Sequence, residues 1–122
     1  MVNDEVIKAY FSTSGFNDNL VLDLVCTNVN FEHDYSRFIV DFSMDIPEFV
    51  PVDTVVESLE TQCIDAGKRY LRIRVRRNEL FDVIRNRKPW EDLSIGFQCR
   101  IYRNPNVYNS DFWFHFTNKC IG

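Results

Sequence analysis

Residues 70–108 read YLRIRVRRNELFDVIRNRKPWEDLSIGFQCRIYRNPNVY, and this stretch holds the most regular patterns of the chain. Apolar and arginine side chains alternate through Tyr70–Arg76, which is typical of a strand with one buried face. Apolar residues then recur at helical spacing up to Ile84, and Asn78 is the expected N-cap of that helix. Ser94–Arg103 alternates again. The stretch therefore predicts a strand, a short helix and a second strand.

Four more strands and one more helix are predicted outside this stretch. The strands are Glu5–Ser12, Leu20–Val29, Arg37–Ile46 and Asp111–Thr117. Val52–Ala66 predicts an amphipathic helix ending at Gly67, with a hairpin through residues 55–64 as the alternative. Leu20–Val29 is apolar on one face and mixes Val21 and Val25 with Asp23 and Thr27 on the other, which favours a central position with both faces partly covered. The sum is an α+β fold, with a mainly antiparallel sheet of about six strands and two helices on one face.

The 122 residues predict a single domain over positions 1–122 with its own core, since 45% are apolar and 15% aromatic. The start MVNDEVIK lacks the pattern of a signal peptide, and no apolar run reaches the roughly 20 residues of a membrane span. The four cysteines show neither C-x-x-C nor zinc spacing, so we expect reduced, buried thiols and no metal. These features favour the cytoplasm.

Charge is unevenly distributed along the chain. Residues 1–67 carry two cationic side chains against thirteen acidic ones, a net charge of −11, whereas residues 68–122 carry twelve against five, a net charge of +7. One interpretation is a surface for a partner or for self-association. The alternative, which we favour, is that the two halves neutralise each other within one fold.

Arg72, Arg74 and Arg76 stand about 6–7 Å apart on one face of their strand. With Lys68, Arg69 and Arg77 they form a basic stripe that predicts an anion-binding or partner-binding surface. The alternative is an ordinary solvated face that protects the strand from edge pairing.

Aromatic side chains predict a second candidate site. If the helices cover the sheet loosely, the gap between them is an apolar cavity for a lipid or acyl ligand, and a fully packed core is the alternative. The expected lining residues are Phe42, Phe81, Trp90, Phe97, Phe112 and Phe114.

The sequence contains no recognisable catalytic constellation. His33 and His115 are the only histidines, and Asp111 near His115 gives at most an isolated acid–base candidate. No Gly-rich phosphate loop or metal spacing accompanies them, so we expect no cofactor and favour a non-enzyme. Ile95–Tyr102 matches the aromatic strand of RNA-recognition modules poorly, which makes nucleic acid an improbable partner.

The segment LRIRV, NELFDVIRNR and PWEDLSIGFQCRIYRNPNVYN resembles the closing part of metallo-β-lactamase-fold proteins of the sialic-acid hydroxylase group. The resemblance covers residues 70–116 and is carried by Leu80, Trp90, Gly96, Arg103, Pro105, Tyr108 and Asn109. It implies a sterol-carrier-like C-terminal domain without the family's metal-binding histidines.

The leading hypothesis is therefore a non-catalytic accessory or binding domain of unknown specific function. It either binds an apolar or acyl ligand or forms the C-terminal part of a larger metallo-hydrolase-like protein, beside a parent catalytic domain. The alternative is a protein-interaction or dimerisation module that uses the charge asymmetry.

Overall fold

The computed structural model describes residues 4–28, 34–44, 48–51, 59–88, 90, 99–105 and 109–118. These residues form four helices and five strands. The helices are α1 (Asp4–Ser12), α2 (Leu59–Asp65), α3 (Arg77–Arg85) and α4 (Ser110–Asn118), and the strands are β1 (Leu20–Thr27), β2 (Asp34–Asp41), β3 (Glu48–Pro51), β4 (Arg69–Arg76) and β5 (Cys99–Asn104).

The strands form one mixed sheet in the order β3-β2-β1-β4-β5. β1 runs parallel to β4, and the other neighbouring pairs are antiparallel. All eight residues of β1 are buried, which confirms the predicted central position of this strand. The α+β class is confirmed, whereas the expectation of about six strands in a mainly antiparallel sheet is replaced by five described strands in a mixed sheet.

The main core lies on one face of this sheet. Leu20, Leu22, Leu24 and Cys26 of β1 point into it because alternate residues of a strand share a face. Three helices cover that face, with the buried residues Ile7 and Phe11 from α1, Leu80, Val83 and Ile84 from α3, and Phe112, Trp113 and Phe116 from α4.

Helix α2 lies on the opposite face. Its Leu59 and Cys63 pack with Val21 and Tyr70 in a smaller cluster. The prediction that two helices cover one face is therefore wrong, because three described helices cover the main core and the fourth covers the other face.

Two predicted strands are helices. Glu5–Ser12 falls in α1, and Asp111–Thr117 falls in α4. In α4, Phe112 and Phe116 are fully buried while Phe114 is 72% exposed, so the three phenylalanines do not share a face. Phe112 and Phe116 are four residues apart, and that spacing places two side chains on the same side of a helix and also of a strand. The positions of these two residues therefore fit either element.

The remaining elements agree with the sequence over part of their length. β4 matches its prediction, whereas β2 ends at Asp41 and β5 is described from Cys99, since residues 91–98 lie outside the described part. The residue before α3, Arg76, is its N-cap and makes no side-chain capping bond, so the expected Asn78 cap is wrong.

The helix predicted over Val52–Ala66 is confirmed at Leu59–Asp65, which excludes the hairpin alternative there. Residues 52–58 lie outside the described part. Gly67 follows this helix with a φ of 76°, a conformation that glycine favours. Cys26, Cys63 and Cys99 are unbridged, buried thiols as predicted, and Cys120 is outside the described residues. Over the described ranges, no helix has the length and apolar character that a membrane crossing requires.

Candidate functional site

The register of the sheet gathers arginines on the face opposite the main core. Val25 of β1 lies between Arg37 of β2 and Arg74 of β4, and Arg74 lies opposite Arg100 of β5. Arg72 and Arg76 belong to the same face because they flank Arg74 at a spacing of two residues. We call Arg37, Arg72, Arg74, Arg76 and Arg100 the arginine face.

Arg74 and Arg100 form a direct cross-strand pair of like charges. Side chains in such pairs approach to about 5 Å, and like charges there destabilise the sheet. The register thus places two guanidinium side chains opposite each other on the arginine face.

Tyr102 and Glu60 organise the outer margin of the arginine face. The guanidinium of Arg72 lies 4.8 Å from the centre of the Tyr102 ring, a cation–π contact. Tyr102 donates its hydroxyl hydrogen to Glu60 at 2.7 Å, and the amide of Asn104 donates to the same oxygen at 2.8 Å. These hydrogen bonds, first that of Asn104 and then that of Tyr102, lower the pKa of Glu60. Glu60 is thus held ionised beside the arginines.

Asp23 is a fully buried carboxylate on the same side of the sheet as the arginine face, directly opposite Arg72 in the register. Arg37 donates to it twice, from Nε at 2.7 Å and from an Nη at 2.6 Å, and the Tyr70 hydroxyl donates at 2.5 Å. The hydrogen bond to Asp23 raises the pKa of Arg37, while burial and then the bond to Asp23 raise the pKa of Tyr70. Asp23 and Tyr70 therefore fix the position of one guanidinium at the edge of the face.

The other cations of the predicted basic stripe have different roles. Lys68 pairs with Asp41 at 2.7 Å, and Arg69 pairs with Asp18. Burial alone would raise the pKa of Asp41, but the hydrogen bonds from Lys68 and Ser43 outweigh it and lower that pKa. Both ion pairs join the acidic and basic halves of the chain, which supports internal neutralisation.

Arg77 lies apart from these pairs. Its guanidinium stands 5.1 Å from the centre of the Phe81 ring, at the start of α3. Of the six cations in the predicted stripe, the register thus brings Arg72, Arg74 and Arg76 together, and it adds Arg37 and Arg100, which the prediction did not include.

The structure distributes the predicted apolar-site residues among different environments. Phe42, Trp90 and Phe112 lie together in the main core, with ring centres 6.3 Å apart for Phe42 and Phe112 and 5.8 Å apart for Trp90 and Phe112. Phe81 is partly buried against this core, and Phe114 is exposed. Phe97 lies outside the described residues. Phe42, Trp90 and Phe112 thus pack ring against ring in the main core.

His115 is bonded to a backbone group. Its Nε2 lies 2.7 Å from the carbonyl oxygen of Ser14, and its ring contacts Phe16 and Phe116. Asp111 is exposed on the first turn of the same helix. Among the described residues, no group of three or more His, Cys, Asp or Glu side chains is placed to hold a metal ion.

Sequence reasoning missed Asp23, Tyr70 and Arg100 as parts of this site. A signal was present for Asp23, because it is the one acidic residue in the otherwise apolar strand LVLDLVCT. A charge in a central strand requires a buried partner. Which residue is that partner depends on the strand register. The pairing of Arg74 with Arg100 depends on it as well.

Comparison with known proteins adds relatives of greater length. No family model matches the chain. No solved structure gives a significant match either. The chain is similar to cytidine monophosphate-N-acetylneuraminic acid hydroxylase of Xenopus laevis, at 35% identity over 117 residues, covering 93% of this chain and 18% of the relative. The corresponding enzyme of Sus scrofa is 34% identical over 120 residues, covering 93% and 24%.

A protein named as inactive gives a match of the same kind. The inactive cytidine monophosphate-N-acetylneuraminic acid hydroxylase of Homo sapiens is 32% identical over 120 residues, covering 93% of this chain and 21% of the relative. The chain spans about a fifth of the length of these curated relatives. Since it covers 93% of the chain, the similarity extends well beyond the predicted region 70–116. The chain is thus similar to a segment of a larger hydroxylase protein.

Proposed function

We propose that this chain is a non-catalytic accessory segment of a hydroxylase-like protein, and that its arginine face binds an anionic substrate. The single observation that carries the proposal is the cross-strand pair of Arg74 and Arg100 between Arg37 and the Arg72–Tyr102 contact. The relatives are named for cytidine monophosphate-N-acetylneuraminic acid, a nucleotide sugar with one phosphate and one carboxylate group. Both groups are oxyanions that guanidinium groups bind with two parallel hydrogen bonds.

The position within a parent protein is part of the same proposal. The chain would lie beside a metallo-β-lactamase-fold catalytic domain as its C-terminal, sterol-carrier-like part, and the parent domain would supply the metal chemistry. Similarity over 93% of the chain to about a fifth of each relative supports such a modular role. The reduced thiols Cys26, Cys63 and Cys99 fit a reducing compartment such as the cytoplasm.

Calorimetric titration of the chain with cytidine monophosphate-N-acetylneuraminic acid tests the proposal, with neutral cytidine as the comparison ligand. Binding of the nucleotide sugar is expected, whereas cytidine should bind much more weakly. Arg74→Gln and Arg100→Gln should each weaken binding roughly tenfold to a hundredfold, because each removes one charge-assisted hydrogen bond worth about 1.5–3 kcal/mol.

Arg85→Gln is the matched control, because Arg85 is an exposed arginine on α3 that lies off the arginine face. It changes the net charge by the same amount and should leave the affinity unchanged. Equal weakening by Arg85→Gln and Arg74→Gln would show a nonspecific charge effect and would refute a specific site. Equal binding of cytidine would refute recognition of the anionic groups.

A further inference from the structure

A groove of about 240 Å³ lies between α1 and the end of α3, on the opposite side of the sheet from the arginine face. Its walls are Val6, Ala9, Tyr10 and Ile84, together with the polar residue Thr13. The α1 residues among them recur at spacings of three and four, so they form one stripe along the helix. Val6 is 41% exposed, which leaves part of this apolar stripe open to an occupant.

Two cations, Arg87 and Lys88, line the end of this groove. Lys88 pairs with Asp82 at 2.6 Å, and its pairing lowers the pKa of that carboxyl group. Among the described residues at this end, the two cations Arg87 and Lys88 stand against the one paired carboxylate of Asp82.

Arg87 occupies a backbone position that normally belongs to glycine. Its φ is 52°, in the left-handed region, and it follows the C-cap Asn86 of α3. The amide of Lys88 donates to the carbonyl of Val83 at 3.0 Å, which is the bond of a Schellman motif, and glycine is the usual residue at this point of that motif. A residue other than glycine that is held in this unfavoured backbone conformation is a reason to look for a function of its side chain.

We propose that this groove binds a short aliphatic carboxylate, with the hydrocarbon chain along the apolar stripe of α1 and the carboxylate on Arg87. The apolar walls select a hydrocarbon, and the cationic end selects an anionic head. The volume is below the roughly 300 Å³ at which typical small-molecule pockets begin, which suits a short acyl chain. The site shares no residue with the arginine face and does not depend on the function proposed for that face.

Titration of the chain with octanoate, followed by two-dimensional NMR, tests the site directly. Shifts are expected at Ala9 and Ile84, and 1-octanol, which lacks the charge, should bind at least tenfold more weakly. Affinity should rise about threefold per added methylene from hexanoate to octanoate, and the gain should stop between decanoate and dodecanoate when the groove is full.

Two variants separate binding from folding. Arg87→Gly should weaken octanoate binding at least tenfold while it raises the thermal midpoint by a few degrees, because glycine tolerates this conformation better. Asp82→Asn should tighten binding severalfold, because it removes the negative charge next to Lys88. A merely structural role for Arg87 would not give weaker binding together with higher stability.

Three outcomes would overturn the proposal. The first is octanoate affinity that Arg87→Gly leaves unchanged, and the second is an equal affinity for octanol. The third is binding to vesicles of anionic phospholipid without binding to free octanoate, which would identify a membrane surface as the source of the anion. Arg74→Gln should leave octanoate binding unchanged, so failure at this groove and failure at the arginine face are distinguishable.

Discussion

At the scale of single residues, Asp23 is the charge around which one face of the sheet is arranged. It sits fully buried on the central strand, where an isolated carboxylate would be costly. Arg37 and Tyr70 compensate for that cost from the two neighbouring strands, and they supply three hydrogen bonds to its two oxygens. Such a pair contributes little net stability compared with apolar residues, but removal of one partner leaves the other uncompensated.

The first prediction concerns this pair. Asp23→Asn should lower the free energy of unfolding by about 3 kcal/mol, since Arg37 would lose its counter-charge in a largely buried position. Tyr70→Phe should cost less, about 1.5 kcal/mol, because it removes one hydrogen bond to the carboxylate while the ring and both bonds from Arg37 remain. Urea unfolding of the two variants measures both values. A loss of less than 1 kcal/mol for Asp23→Asn would show that solvent already compensates Arg37.

At the scale of secondary structure, α4 shows why two helices, α1 and α4, were predicted as strands. Its sequence SDFWFHFTN alternates like a strand, yet Phe112, Trp113 and Phe116 are buried and Phe114 is exposed. Helical spacing accounts for all four residues, whereas alternation fails at Trp113 and Phe114.

The second prediction uses this difference between helix and strand. Phe116→Ala should destabilise the chain by about 3–5 kcal/mol, since the ring lies in the core and its loss leaves a cavity. Phe114→Ala is the matched control and should change stability by no more than about 0.5 kcal/mol, because that side chain is exposed. Thermal unfolding of both variants measures the effect. Equal losses would contradict the helix and restore a strand with all three rings on one face.

For the strands that were predicted correctly, the spacing of apolar residues fits a strand and does not fit a helix. β4 alternates apolar and arginine side chains, and β1 is apolar at Leu20, Leu22, Leu24 and Cys26 with Val21 and Val25 between them, which no short amphipathic helix reproduces. In α1 and α4 the alternate residues are apolar, namely Ile7, Ala9 and Phe11 in the first and Phe112, Phe114 and Phe116 in the second, so a two-residue period fits as well as a helical one. Their class is decided by packing against the sheet, which the sequence does not display.

At the scale of the whole molecule, the sheet separates two chemical environments. One face carries the aromatic core under α1, α3 and α4, and the other carries the arginine face beside α2. The arginines of β4 were predicted from their own strand. Arg37 and Arg100 join them only because β2 and β5 adopt one particular register relative to β1 and β4, and register is set by the complete sheet.

The last prediction follows from acidic groups that folding buries in the protonated form. Burial raises the pKa of Cys99 to about 11, and burial is also the main cause of the raised pKa values of Cys63 and Tyr70. Because the folded state holds these protons more tightly, their contribution to stability is complete below the unfolded pKa values, about 8.5 for cysteine and 10 for tyrosine. It is lost as the pH rises above them.

The free energy of unfolding should therefore fall steadily from about pH 8.5 to pH 11, as measured by urea unfolding across that range. Cys99→Ala should flatten the slope from about pH 8.5 upward, and Tyr70→Phe should flatten it only above about pH 10, whatever each variant does to stability at neutral pH. Asp82→Asn, which changes an exposed carboxyl group, is the control and should leave the alkaline slope unaltered. A slope that Cys99→Ala and Tyr70→Phe both leave unchanged would mean that these groups ionise in the folded chain as freely as in the unfolded one, which would contradict their burial against the sheet.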